Sequence, residues 1–284
     1  MHVYVLHAFT DQGKGGNPAG LVLDADHLTN PQMQEIAAKI GLSETAFVMK
    51  SSQADFKLLF FTPNKQIGDC GHATVATFSY LKQIGKINSD QSSKETIVGI
   101  RDIFIDGDRI AMQQSAPVFT EIEPARFNAI RDSLALNDTD FADHPCIVRT
   151  EENFLIIPLK SESAVRKAKP DFDAIQSISE DYQLIGYYLF SMETRISGRD
   201  AGTRMFAPRY GIPEEAATGM AAGPLGCYLY ERMHLNKSTF SIEQGALMNP
   251  ASPSLLEVEL EFSHSKIKQV LVGGRAELIR EFSI

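Results

Sequence analysis

The sequence has few cysteines and no surplus of basic residues. Cys70, Cys146 and Cys227 are an odd, widely spaced set, which does not fit a disulfide framework and suits a reducing compartment. The 27 lysines and arginines are outnumbered by 36 aspartates and glutamates, so the net charge is −9. A nucleic-acid partner is therefore not expected, because no basic stripe is available to neutralise phosphates.

Long apolar runs are also absent. No stretch approaches the ~18 apolar residues of a membrane span, and the first residues lack the basic-then-apolar order of a signal peptide. The sequence contains no metal-ligand spacing and no phosphate-binding loop, and no G-x-G-x-x-G motif follows a strand. We therefore expect a cytoplasmic protein without a membrane contact, a metal or another cofactor.

A repeated pattern is the main feature that the sequence does contain. Residues 61–85 read FTPNKQIGDCGHATVATFSYLKQIG, and residues 206–233 read FAPRYGIPEEAATGMAAGPLGCYLYERM. In each, an F-x-P element precedes a glycine, Gly71 or Gly219, that opens a run of small and apolar residues and predicts a buried helix. Chance is the alternative explanation, since glycine and proline recur at turns in many proteins. We favour two related halves.

The fold prediction follows from the length and from the strands around these helices. A chain of 284 residues fits two domains of roughly 150 residues each, and 43% hydrophobic content is enough for two cores. Short strands flank each buried helix and do not alternate with amphipathic helices, which argues against a doubly wound nucleotide fold. We predict an α+β fold of two pseudo-symmetric domains, each a barrel-like, mostly antiparallel sheet wrapped around a central helix. The predicted domains are residues 1–115 plus 266–284, and residues 116–265.

The first turn of each buried helix is an expected anion site. Free backbone N–H groups and the positive end of the helix dipole favour a negative charge there. Cys70 and His72 flank the first turn of the first helix. The dipole predicts a neutral imidazole for His72 and a lowered pKa, with a reactive thiolate, for Cys70. The plainer alternatives are a hydrogen-bonded histidine and a buried structural thiol.

Three glutamates are candidates for acid–base chemistry. Glu44 lies at a predicted strand edge beside apolar residues, where burial would raise its pKa toward neutrality. Its alternative is a solvated turn residue. Glu214 and Glu215 lie just before the second helix, and capping of that helix is their alternative role.

These groups suggest a function when they are taken together. If the two halves face each other, both helix starts bind one carboxylate-bearing ligand, with Glu44, His72 and Glu215 around it. Proton donors and acceptors beside anion-binding turns predict proton abstraction next to a carboxylate. The sequence therefore predicts an isomerase or epimerase that acts on a small carboxylate-bearing metabolite.

The sequence resembles the PhzF-like family, the phenazine-biosynthesis isomerase and its relatives, along essentially its whole length. The motifs that carry the resemblance are HAFTDQGKGGNPAGLVLD, LSETAFV, FTPNKQIGDCGHATVAT, RMFAPRYGIPEEAATGMAAGPLG, EQGALM and VLVGGRAEL. The resemblance implies the fold of diaminopimelate epimerase and a cofactor-free homodimer.

The resemblance also implies roles for individual residues. Glu44 in SETAFV corresponds to the family's proton-shuttling glutamate, and His72 in CGHAT corresponds to its active-site histidine. The family's aspartate falls on Glu215, which is one methylene longer and is followed by Ala216 where the family has proline. Met220 stands where family members often carry a small polar residue that contacts the ligand. We expect catalysis by Glu44, His72 and Glu215, and substrate contacts from Asn17, Cys70, Gly71, Ala73, Thr218, Gly219, Met220 and Gln244.

Two other functions stay open. Two-thiol epimerases of the related fold carry a cysteine before each helix-opening glycine, whereas this chain has Cys70 and Thr218. A symmetric two-cysteine racemase is therefore not expected, but an amino-acid epimerase that uses Cys70 with Glu44 is an alternative. The departures at Glu215 and Met220 favour a third alternative, a non-catalytic metabolite-binding protein.

Overall fold

The structure is a computed structural model that describes residues 1–284. Its strands are β1 (His2–Ala8), β2 (Asn17–Val22), β3 (Thr45–Met49), β4 (Phe56–Phe61), β5 (Gln66–Ile67), β6 (Gln91–Thr96), β7 (Gly99–Asp106), β8 (Arg109–Ser115), β9 (Val118–Glu121), β10 (Cys146–Arg149), β11 (Asn153–Pro158), β12 (Leu184–Ser191), β13 (Ala201–Phe206), β14 (Thr239–Gln244), β15 (Ser254–Ser263), β16 (Lys266–Gly274) and β17 (Ala276–Ser283). Its α-helices are α1 (Asn30–Ile40), α2 (Gly71–Gln83), α3 (Pro124–Asp132), α4 (Glu162–Lys167), α5 (Phe172–Asp181) and α6 (Gly219–Glu231).

Contacts within the chain divide it into two compact units. The first unit is Met1–Gln113 with Gly273–Ile284, and the second is Gln114–Val272. The sequence predicts a first domain of 1–115 plus 266–284, so the return to the first unit comes later in the chain than predicted.

The sheet of the first unit is mostly antiparallel. β1 pairs with β2 and β17, β3 pairs with β4, and β6, β7 and β8 form a meander, all antiparallel, while β2–β3 and β4–β6 are parallel pairs. Helix α2 packs against β1, β2, β3 and β17. Its residues from His72 to Phe78 are all buried, as the run of small and apolar residues predicts.

The second unit repeats this arrangement around α6. The pairs β9–β10, β10–β11, β12–β13 and β14–β15 are antiparallel, and β11–β12 and β13–β14 are parallel. Helix α6 packs against β10, β11, β14 and β15. Its start is held by Gln114, whose Nε2 donates a 3.0 Å hydrogen bond to the Gly219 carbonyl oxygen. A Cβ at Gly223 would collide with the Gln114 side chain, so this contact requires glycine there.

The predicted α+β class, with a mostly antiparallel sheet around one central helix in each half, is confirmed. The predicted helix starts at Gly71 and Gly219 are the observed ones. Helix α4 is absent from the sequence prediction, because six residues are too few to show a helical period. Across the structure, we find no helix with both the length and the apolar character needed to cross a membrane.

Candidate active site

Glu44 is positioned by the parallel pair of strands β2 and β3. Gly20 donates its backbone N–H to the Glu44 carbonyl oxygen at 2.9 Å and is the register partner of Thr45. A Cβ at residue 20 would lie 2.6 Å from Thr45 Oγ1, so glycine is the residue that fits. The pairing fixes the backbone from which the Glu44 side chain extends, and only 14% of that side chain is exposed.

Cys70 and His72 flank the first residue of α2. Cys70 is the last extended residue before the helix, with φ −149° and ψ 119°, and both side chains are buried. His72 Nε2 lies 3.1 Å from Glu44 Oε2, and Cys70 Sγ lies 3.5 Å from His72 Nδ1 and 3.9 Å from His72 Nε2. Glu44 Oε2 makes no hydrogen bond of normal geometry, so its contact with His72 is mainly ionic.

The three groups influence each other's protonation. Burial raises the pKa of Glu44, but contacts with His72 and Ser43 outweigh it, and the pKa lies below its ordinary 4.5. Burial disfavours a charge on His72, but Cys70 and Glu44 outweigh it, and the pKa of His72 lies well above 6.5. Burial raises the pKa of the Cys70 thiol from 9.0. The charged forms of Glu44 and His72 therefore favour each other, while burial favours the neutral thiol of Cys70.

Three expectations from the sequence are wrong here. The pKa of Glu44 is lowered rather than raised, the pKa of His72 is raised where a neutral imidazole was expected, and the pKa of Cys70 is raised rather than lowered. The helix dipole disfavours a proton on His72, but a carboxylate 3.1 Å away acts at shorter range in a buried site. The dipole is likewise too weak to offset the burial of the Cys70 thiol.

The same three side chains could also hold a metal ion. One donor atom from each of Glu44, Cys70 and His72 lies within 4.8 Å of the other two. An oxygen, a nitrogen and a sulfur are the ligand types that zinc accepts. The sequence predicts no metal, and the acid–base chemistry of the cluster does not require one.

In the second unit, Glu215 is tied to the start of α6. Thr218 Oγ1 donates a 2.6 Å hydrogen bond to Glu215 Oε2. Gln244 forms hydrogen bonds with both ends of the same turn. Its Nε2 donates to the Glu215 carbonyl oxygen at 2.8 Å and to Thr218 Oγ1 at 3.0 Å. Its Oε1 accepts from Thr218 N at 3.1 Å and from the Tyr188 hydroxyl at 2.9 Å. These bonds favour a role for Gln244 in holding the turn, while its predicted contact with substrate stays a prediction.

Glu214 has a different task from Glu215. Its two carboxylate oxygens accept hydrogen bonds from Arg204 Nε at 2.8 Å and Arg204 Nη2 at 2.9 Å. Arg204 Nη1 also donates to the Ala168 carbonyl oxygen at 2.9 Å. The pair is mostly buried, with side-chain exposures of 10% for Arg204 and 16% for Glu214. Glu214 is thus part of a mostly buried ion pair, and a catalytic role for Glu215 stays a prediction.

Comparison with known proteins settles the family. The family model of phenazine biosynthesis-like proteins, PhzC-PhzF, matches residues 6–281. The chain belongs to the PhzF family. A protein of Bacillus subtilis (strain 168) named uncharacterized isomerase YfhB is 34% identical over 274 residues, which cover 94% of this chain and 92% of the relative. The trans-2,3-dihydro-3-hydroxyanthranilate isomerase of Pseudomonas aeruginosa is 28% identical over 287 residues, covering 99% of this chain and 98% of that protein.

A solved PhzF-family structure confirms the fold. The crystal structure of a phenazine biosynthesis protein of the PhzF family from Bacillus anthracis superposes with a TM-score of 0.90 at 28% identity. The match covers 100% of this chain and 98% of that one. The family resemblance seen in the sequence motifs is therefore correct.

The remaining predicted site residues of this PhzF-family chain lie at the edges of its elements. Asn17 is the buried first residue of β2, and Gly71 and Ala73 lie in the first turn of α2. Gly219 and Met220 begin α6, and Met220 is partly exposed. Their contacts with a substrate stay predictions.

Sequence reasoning missed several residues that shape the PhzF-family site. Gly20 fixes the Glu44 backbone, Ser43 helps to lower the pKa of Glu44, and Arg204 neutralises Glu214. The glycine in NPAG was a usable signal, because a glycine within a strand often marks the close approach of another part of the chain. No local signal marks Arg204, because its partner is ten residues away across a turn.

The protonation of His72 gives a prediction that needs no substrate. We expect nuclear magnetic resonance titration to show His72 still protonated well above pH 6.5, because Cys70 and Glu44 favour its charge. In the Glu44→Gln variant the pKa of His72 should fall, since an opposite charge within ~4–6 Å is lost. Charged His72 then stabilises the wild-type fold below pH 6.5, and this contribution disappears as the pH rises through the folded-state pKa. An unchanged His72 titration in Glu44→Gln would contradict the ion pair.

Proposed function

We propose that this PhzF-family protein is a cofactor-independent isomerase that moves a proton on a small carboxylic acid, with Glu44 as the acid–base residue. The observation that supports it best is the buried cluster in which the Glu44 carboxylate lies 3.1 Å from the His72 imidazole. A general base must be ionised at working pH, and the lowered pKa of Glu44 meets that condition. The relatives named as isomerases support the same reaction class.

The proton transfer is written as two steps on the substrate. Glu44 removes a proton from a carbon alpha or gamma to the substrate carboxylate, and the C–H electron pair moves into the carboxylate-conjugated system as an enolate. The protonated His72 imidazole stabilises this developing negative charge through a charged hydrogen bond. Glu44 then returns the proton to a different carbon, so the product is an isomer and the enzyme is unchanged.

The substrate carboxylate is assigned to the start of α2. The N–H groups of Gly71, His72 and Ala73 belong to the first turn, where helix geometry supplies no backbone acceptors for them. Such a turn favours an anion through its N–H groups and through the helix dipole. A carboxylate placed there brings its alpha carbon toward Glu44.

Glu215 is proposed as a second acid–base group. Its hydrogen bond from Thr218 holds the carboxylate at the start of α6. The extra methylene relative to the family's aspartate is compatible with this bond.

A homodimer and a cytoplasmic location, both expected from the sequence, also stay predictions.

An amino-acid epimerase is the second candidate, because the Cys70 sulfur lies 3.5 Å from His72 in the same cluster. In that reaction Cys70 and Glu44 would act on opposite faces of one carbon. The raised pKa of Cys70 weighs against a thiolate base. A Cys70→Ser variant separates the two reactions, since only the epimerase requires the thiol.

The experiment is a screen for solvent-deuterium incorporation. The protein is incubated in deuterated water with hydroxy-, amino- and unsaturated carboxylic acids, including trans-2,3-dihydro-3-hydroxyanthranilate, and products are analysed by mass spectrometry. We expect label in an unsaturated or hydroxy acid, undiminished in Cys70→Ser. Label confined to amino acids and lost in Cys70→Ser would favour the epimerase. Ligands that raise the melting temperature without gaining label and without being converted to an isomer would favour a binding protein.

A further inference from the structure

Lys94 is a lysine with no exposed side-chain surface. It lies on β6, opposite Phe56 of β4 and Arg101 of β7. Strand alternation turns Ser92, Lys94 and Thr96 to the buried face. Burial lowers the pKa of Lys94, and the Asp69 carboxylate opposes that effect. A lysine is rarely fully buried unless its charge is paired, so the contacts of Lys94 indicate its role.

Two polar partners receive the Lys94 ammonium group. Nζ donates a hydrogen bond to Asp69 Oδ1, and it donates a second one to Thr74 Oγ1 at 2.8 Å. The Met112 sulfur lies 3.9 Å from Nζ, and the centroid of the Phe60 ring lies 5.4 Å from it. The ammonium group therefore lies in an apolar surrounding, with its polar contacts directed to the start of α2.

Both partners hold the backbone of the same residue, Cys70. Asp69 Oδ1 accepts a 2.7 Å hydrogen bond from the Cys70 backbone N–H. Thr74 Oγ1 donates a 2.7 Å hydrogen bond to the Cys70 carbonyl oxygen. Lys94 thus contacts both side chains that hold Cys70, Asp69 at its amide and Thr74 at its carbonyl. Cys70 is the residue directly before the first residue of α2.

This position matters because Cys70 sets the direction of the helix start. The thiol of Cys70 and the imidazole of His72 extend from this turn toward Glu44. A small rotation of the Cys70 backbone would lengthen the 3.1 Å contact between His72 and Glu44, and proton transfer is sensitive to such displacements. Asp69 Oδ2 also lies 3.9 Å from Arg101 Nε, so Lys94 is the nearer of two cations beside Asp69 and the one that also contacts Thr74.

We propose that Lys94 is a positioning residue for the proton-transfer site, acting through Asp69 and Thr74 on the backbone of Cys70. The inference rests on the proposed function for its effect on turnover, but its structural part is independent of any substrate. Lys94 does not touch the reacting groups.

The first test measures amide hydrogen exchange and requires no substrate. In Lys94→Met, a chain of similar length without the charge or the donors, the Cys70 amide should exchange at least tenfold faster than in wild type. Amides in the last turn of α2 should be unchanged. The control is Lys57→Met, because Lys57 is on the neighbouring strand and pairs only with Glu95, with 34% of its side chain exposed. Equal protection of Cys70 in both variants would overturn the proposal.

The second test separates positioning from general loss of stability. Lys94→Ala leaves a space that ethylammonium or propylammonium ions can enter, and these ions should restore Cys70 protection and raise kcat, with little change in KM. Thr74→Val and Asp69→Asn each weaken one of the two links between Lys94 and the Cys70 backbone. Each should give part of the increase in Cys70 amide exchange that Lys94→Met gives. If Lys94→Ala melts early but keeps wild-type kcat at low temperature, Lys94 is only a structural residue. If the exchange result holds while the wild-type protein converts no substrate of the panel, the proposed function fails and the positioning of Cys70 stands.

Discussion

Replacing Glu44 with glutamine is expected to reduce proton exchange on the substrate by about 10²- to 10⁴-fold, the range that a positioned acid–base group contributes. Glutamine keeps the size of the side chain but cannot accept the substrate proton. The main-chain hydrogen bond from Gly20 to residue 44 does not depend on the side chain, so the backbone of residue 44 should keep its position. Ligand binding, measured by the shift in melting temperature, should change little.

A matched control is available on helix α1. Glu35 is an exposed glutamate that pairs with Lys39 one turn away, and its side chain is 66% exposed. Glu35→Gln makes the same chemical change outside the cluster and should leave exchange at the wild-type rate. Exchange in Glu44→Gln within a few fold of wild type would remove Glu44 from the mechanism.

Replacing Arg204 with methionine is expected to destabilise the second unit by about 3–5 kcal/mol, the cost of leaving one member of a buried ion pair without its partner. Arg204 forms a two-point contact with Glu214 and also donates to the Ala168 carbonyl oxygen. Removal leaves the Glu214 carboxylate buried and uncompensated. For a unit of this size, the midpoint of thermal unfolding should fall by roughly 10 °C.

The control for Arg204 is an ion pair on the surface of the same unit. Arg232 pairs with Glu121, and their side chains are 42% and 65% exposed. Arg232→Met should cost no more than about 1 kcal/mol, because water already solvates both charges. The double variant Arg204→Met with Glu214→Gln should recover part of the lost stability. Equal thermal shifts for Arg204→Met and Arg232→Met would contradict a structural role for the buried pair.

The sequence was sufficient for the features that depend on local pattern. The buried helices begin at Gly71 and Gly219 as predicted, because runs of small and apolar residues specify a buried helix without knowledge of its neighbours. The grouping of Cys70 and His72 follows from their spacing on either side of Gly71. The family motifs added Glu44 as the third residue of the cluster with Cys70 and His72.

The ionisation states could not be predicted in the same way. They depend on the 3.1 Å contact between His72 and Glu44, residues far apart in the chain, and on burial by surrounding strands. The sequence prediction considered only the dipole of α2. It did not include the Glu44 carboxylate, which acts more strongly on the protonation of His72. Lys94 was missed for a related reason, since QSSKET contains no apolar residue, and only the structure shows that its alternate residues face inward.

We propose that Glu44 carries the proton between two carbons of the substrate. The most direct test counts deuterium at each carbon of the product, by mass spectrometry and nuclear magnetic resonance, after reaction in deuterated water. Wild type should place deuterium at the carbon that gains hydrogen, or retain the original hydrogen there if transfer outpaces exchange, and Glu44→Gln should form product about 10²- to 10⁴-fold more slowly. Product formed by Glu44→Gln at the wild-type rate, with the same deuterium content, would contradict the claim.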